Sequence, residues 1–205
     1  MKQKLTLRGS IIMLTGVLFA AYAAYYAFVI IRDIQRSLPP EKIAIYAILV
    51  LLFGLLAGFA WTSEVKSFRF LEARKTVMII VLLAVIALKL RLIGKIIAAL
   101  EDSSPQSLLY CGSYFSTLAA LLLLFVFYAF ILRRLEFHPR AAVILPSATL
   151  ILFIAGLVFE AILFFGFGIG LEANSLRTMV SRSIFYLSFI GLSAYFLLPP
   201  PIPKQ

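Results

Sequence analysis

Six apolar stretches, each near the length that carries a helix across a bilayer, divide this chain: 9–31, 43–61, 76–100, 108–132, 141–165 and about 180–198. A helix needs roughly 20 apolar residues to cross the hydrocarbon core. Helices and closed barrels are the structures that satisfy their own backbone groups there. The expected fold is therefore all-α, a polytopic membrane helical bundle with six transmembrane helices. Apolar residues make up 63% of the chain and charged residues 14%, whereas charged residues run near a quarter in a soluble domain. Residues 1–205 are expected to form a single six-span integral membrane domain, because the connections are too short to hold a separate soluble one. Lys2, Lys4 and Arg8 precede an apolar run containing Ala21-Tyr22-Ala23, as in a cleaved leader. The run continues through Phe28, Val29, Ile30 and Ile31, so a retained anchor is expected.

Orientation follows from the cations, because short loops rich in Lys and Arg stay in the cytoplasm. Lys2, Lys4 and Arg8, then Lys66, Arg69, Arg74 and Lys75, then Arg133, Arg134 and Arg140, then Lys204 fall on one side if both termini are cytoplasmic. The alternate connections balance Arg32, Arg36 and Lys42 against Asp33 and Glu41, or carry Glu101 and Asp102, or Glu172 and Arg177. The net charge of +10 is read as a topology signal with attraction to anionic lipid, in the plasma membrane. The expected partner is the lipid bilayer, with a membrane partner subunit or cytoplasmic protein able to meet the basic loops. Nucleic acid is not expected, because the cations are spread over short segments rather than gathered on a folded basic surface.

Arg8, Arg74 and Arg140 each stand before an odd-numbered span, 66 residues apart, so the chain reads as three repeated helical hairpins. Even loops in any six-span protein give a similar period. Small residues four apart, at Ala20 and Ala24, Ala23 and Ala27, and Gly54 and Gly58, are expected to let helices approach closely. Pro146 is expected near the start of the fifth span, with at most a mild kink. The segment Phe165 to Gly170 reads as a glycine-spaced outer loop.

The third span is the most unusual, because Lys89, Arg91 and Lys95 interrupt Val77 to Leu100. A lysine near mid-membrane costs roughly 2.5 to 3.5 kcal/mol on insertion scales. Either the three snorkel or residues 89–100 bend into an interfacial amphipathic segment, or they face an interior cavity on a continuous helix. In the second case Glu160, an acid inside the apolar run of the fifth span, is expected to pair with Lys89 or Arg91, with Arg182 as a further candidate. Tyr22, Tyr25, Tyr26, Tyr46, Tyr110 and Tyr114 cluster in the outer halves of the spans. Tyr110, Tyr114 and Thr117 share a face with Ser113 nearby, a stripe that could hold an amphiphile or organic anion. The candidate ligand-binding residues are thus Lys89, Arg91, Glu160, Arg182, Tyr110 and Tyr114.

No catalytic residue, metal or cofactor is implied. His138 and Cys111 are the single residues of their types and lie toward opposite sides of the membrane, too far apart for a base and nucleophile. Gly191 to Tyr195 superficially resembles a serine nucleophile segment but lacks a buried histidine. The leading expectation is a small transporter or transporter subunit with an outward-facing pocket for an anionic or amphiphilic solute. The alternative is a non-catalytic membrane scaffold or sensor contacting a partner through Arg69, Arg74, Arg133 and Arg134.

Overall fold

The computed structural model describes residues 7–34, 39–63, 68–91, 93–102, 104–132, 139–167 and 173–198. Seven α-helices make up the described residues: α1 (Leu7–Ile34), α2 (Pro40–Thr62), α3 (Phe68–Leu90), α4 (Ile93–Asp102), α5 (Pro105–Leu132), α6 (Pro139–Gly166) and α7 (Ala173–Leu197). Three of them begin on proline, whose missing N–H costs nothing where a helix has no partner for it. At the start of α5 the Ser104 hydroxyl also accepts the Ser107 N–H at 3.2 Å, an N-cap.

Five helices are long and apolar enough to cross a membrane: Leu7–Arg32, Pro40–Thr62, Pro105–Ala129, Val143–Gly166 and Thr178–Leu197. Their outward faces carry Leu14, Leu51, Ile144 and Ile151, all more than half exposed. An apolar exterior of this kind is an aggregation hazard in water. In lipid it is the matching surface.

The third stretch departs from expectation. Instead of one continuous helix over 76–100, α3 ends at Leu90, and α4 starts afresh at Ile93. The last turn closes with the Arg91 N–H on the Ala87 carbonyl at 3.2 Å. The local reason is charge: Lys89, Arg91 and Lys95 fall within seven residues beside Gly94, and a straight helix would set Lys89 on one face and Arg91 with Lys95 on the opposite one. Separated, α4 places Ile93, Ile96, Ile97 and Leu100 at i, i+3, i+4 and i+7, one apolar stripe. Its anchor is Ile96, buried with Cys111 and Tyr114 of α5. The Cys111 thiol points to the Ile96 carbonyl at 3.7 Å.

Six helices close a ring: α1 packs on α2 and α7, α2 on α3, α3 on α5, α5 on α6, and α6 on α7. α4 sits on α5, outside that circuit. One core fills the ring. Phe189 of α7 stands at its centre, fully buried, edge-on to Phe19 at 5.4 Å, stacked on Phe153 at 5.1 Å and tilted against Phe185 at 4.9 Å. Leu82 of α3 and Leu121 and Leu124 of α5 complete it. Lipid tails are as apolar as these side chains, so packing rather than water exclusion holds such a core together.

Of the small-residue pairs on α1, Ala23 is buried and Ala20 packs on the core, while Ala24 is exposed and Ala27 half-buried; on α2 the expectation fails. A Cβ at Gly54 or Gly58 would meet nothing within 4 Å. The close approaches lie elsewhere, at Gly16 against Trp61, Gly156 against Tyr186 and Gly191 against Thr15. Pro146 lies inside α6, near the start of its apolar span Val143–Gly166, as expected. One turn on, the Thr149 hydroxyl bonds back to the Leu145 carbonyl at 2.8 Å.

Candidate functional site: a polar cavity in the upper half of the bundle

At one end of the ring, called the upper end here, α1, α3 and α6 finish and α2, α5 and α7 begin. A cavity of about 330 Å³ opens there, and every helix of the ring lines it. α6 contributes Glu160, one and a half turns before its end, and α7 contributes Arg182. The Arg182 Nη1 lies 3.0 Å from Glu160 Oε1 and 2.8 Å from Oε2, a single guanidinium nitrogen shared across both carboxylate oxygens. Glu160 is the more enclosed partner, at 14% exposure against 38% for Arg182.

A hydrogen-bond chain runs inward from this pair. The Ser113 hydroxyl lies 2.7 Å from Glu160 Oε1 and donates to it. The Tyr186 hydroxyl lies 2.8 Å from Ser113 Oγ and 2.7 Å from Thr117 Oγ1. Thr117 and Ser116 each donate to the Ser113 carbonyl, at 2.7 and 2.9 Å. Ser113, Ser116, Thr117 and Tyr186 are buried, and buried hydroxyls keep their places only when so paired. Gly156, one turn before Glu160, makes room for this chain: a Cβ there would lie 2.6 Å from Tyr186 Cε1.

Lys89 enters the same cavity from the end of α3. Its ammonium sits 4.5 Å from the Phe185 ring centre and 6.0 Å from that of Tyr114. Aromatic faces attract cations by about 0.5 to 2 kcal/mol, depending on desolvation, so the two rings offset part of the insertion cost. Arg182 is likewise over Tyr110, at 5.6 Å. The facing wall is aromatic: Tyr22 and Tyr26 of α1 pack edge to face at 4.9 Å with hydroxyls 3.3 Å apart, and Tyr26 meets Tyr46 of α2 at 5.4 Å.

Of the six residues singled out in the sequence, Lys89, Tyr110, Tyr114, Glu160 and Arg182 share this cavity. Arg91 does not line it. It is exposed at the helix break and lines a neighbouring cleft with Lys42. The Glu160 ion pair is made with Arg182, not with Lys89 or Arg91, because Glu160 and Arg182 project from adjoining helices α6 and α7. The Lys95 side chain, His138, Arg133, Arg134 and Gly168 to Gly170 lie outside what is described. Tyr186 and Ser181 line the cavity without having been marked in the sequence. Their signal was the stripe Thr178, Ser181, Arg182, Phe185, with Tyr186 one turn after Arg182. Among the described residues no three His, Cys, Asp or Glu side chains gather in a metal-binding cluster. No family model, curated protein or solved structure matches the chain.

Proposed function

We propose that this integral membrane protein is a small transporter or transporter subunit whose outward-facing cavity receives an anionic or amphiphilic solute. The observation carrying this reading is the charge of the cavity. Lys89 and Arg182 line it against the single carboxylate of Glu160, which leaves one cation in excess within a site of ligand size. Ionisable groups at such depth mark substrate paths in membrane proteins. The aromatic and hydroxyl walls suit a solute with one charged end and one apolar end.

In this reading α3 is the sixth crossing, its apolar part Thr76–Leu90 ending where Lys89 enters the cavity, and α4 lies along the outer headgroups. The three hairpins are then α1–α2, α3–α5 and α6–α7. Both termini are cytoplasmic, so the upper end faces outward from the plasma membrane. A partner subunit or cytoplasmic protein would meet the opposite face, where Arg69, Arg74, Arg133 and Arg134 carry side chains outside the described residues.

Topology is checked by cysteine labelling in a Cys111→Ala background. A cysteine introduced at Ser103 is expected to react with an impermeant maleimide from outside intact cells, and one at Ser63 is not. The opposite pattern would place the cavity on the cytoplasmic side. Binding is checked with full-length protein in zwitterionic lipid nanodiscs and a radiolabelled short-chain carboxylate. Arg182→Gln is expected to weaken binding about tenfold, the factor that corresponds to roughly 1.4 kcal/mol. Equal binding by the variant would remove the cavity from the reading.

A further inference from the structure

Beside the polar cavity lies a second cleft of about 390 Å³, between α2 and α3. The two cavities are neighbours, with Tyr22, Tyr26, Lys89 and Phe185 in the walls of both. Their chemistries differ. One wall of the cleft is the α2 stripe Ile45, Leu49 and Phe53, residues four apart on one face, and the other is Val85 and Leu88 of α3. Cations sit at its upper mouth, Lys42 on α2 and Arg91 at the end of α3. From Lys42 to Phe53 the α2 stripe descends about 16 Å at the helical rise. Among the described residues, the α2–α3 seam that holds the cleft is the most thinly packed junction of the ring.

Taken together, these features describe a site with two compartments: a hydrogen-bonding chamber with excess positive charge, and beside it an apolar shaft along a helix seam. We infer that the occupant is a single-chain anionic amphiphile taken from the membrane, its headgroup in the polar cavity between Lys89 and Arg182 and its chain in the α2–α3 cleft. Charge complementarity selects the class. Among the residues lining both compartments Glu160 is the single acid, and Arg182 engages it, so Lys89, Lys42 and Arg91 favour an anionic headgroup. A zwitterionic lipid does not match that charge. Lys89, belonging to both compartments, stands where headgroup and chain join.

This inference rests on the cavity being an anion site, as proposed above, and the test separates the two. The probes are two carboxylates carrying a photoreactive diazirine, one of butyrate length and one of palmitate length with the diazirine in mid-chain. Each is irradiated with full-length protein in zwitterionic nanodiscs, and the adducts are mapped by peptide mass spectrometry. The long probe is expected to label peptides bearing Leu49, Val85 and Leu88, and the short probe those bearing Tyr114 and Arg182. Leu49→Trp, which fills the shaft, is expected to cut long-probe labelling at least fivefold and to leave short-probe labelling intact. Val85→Phe, introduced from the opposite wall, provides the same test should the first variant fail to fold. Short-probe labelling of the cavity, with long-probe adducts scattered over the outer face of α6 or unchanged by either variant, would overturn the amphiphile and leave the anion site standing. If neither probe labels the cavity, both readings fall.

Discussion

Glu160→Gln is expected to destabilise the detergent-solubilised protein by roughly 2 kcal/mol, and more than Arg182→Gln does. Gln keeps the shape and can still accept from Ser113, so the variant isolates charge. Losing one partner of an enclosed ion pair costs about 3 to 5 kcal/mol when the survivor is fully buried, and the 38% exposure of Arg182 argues for a smaller figure. The asymmetry comes from Lys89. Without Glu160 the cavity holds two cations and no acid, whereas without Arg182 it holds one of each. The double variant should recover part of the loss, giving a coupling energy of the size seen between contacting residues, about 0.5 to 3 kcal/mol. Unfolding midpoints of the parent, both single variants and the double variant in one detergent give the comparison. Additive losses would show that the pair contributes nothing as a pair.

Phe189→Ala should be the most damaging single truncation in the core, at about 3 kcal/mol or more, in the range for buried phenylalanine. Its ring touches Phe19, Phe53, Phe153 and Phe185, side chains from four of the six ring helices. In lipid the loss is one of packing contacts, since burial from water contributes little between helices. Phe165→Ala is the internal control: Phe165 is 73% exposed and should change the midpoint hardly at all. Similar shifts for the two variants would mean that the ring of helices is not organised around Phe189.

The five helices long and apolar enough to cross were legible because apolar length is itself the signal, and α1, α2, α5, α6 and α7 follow their stretches closely. The break between α3 and α4 was written less plainly. Val77 to Leu100 has the length of a span, and only the cost of placing Arg91 and Lys95 relative to Lys89 decides whether the helix continues. That cost depends on what surrounds each cation. The same limit applies to the site. Lys89, Glu160 and Arg182 could be singled out because ionisable groups are rare in such stretches, and the Tyr110, Tyr114, Thr117 stripe because its spacing is local. Which cation Glu160 chooses depends on the α6–α7 junction, a tertiary fact without a local spacing. Gly54 and Gly58 illustrate the converse: a spacing that permits close packing, on a face that no neighbouring helix occupies.

If α3 is the sixth crossing, as proposed above, the shortness of its apolar part has a consequence for the surrounding lipid. Its apolar part, Thr76–Leu90, measures about 22 Å at the helical rise, some 8 Å less than the hydrocarbon core of a typical bilayer. The neighbouring helices α2 and α5 are of full length, so the mismatch is confined to one flank. With α3 as a crossing, the leaflets would pinch inward beside it, at fractions of a kcal/mol per ångström. A bilayer dimple on one side of a small protein does two things. It biases the protein toward thinner membranes, and it bends the adjoining lipid chains away from their normal alignment at the very seam where the α2–α3 cleft opens.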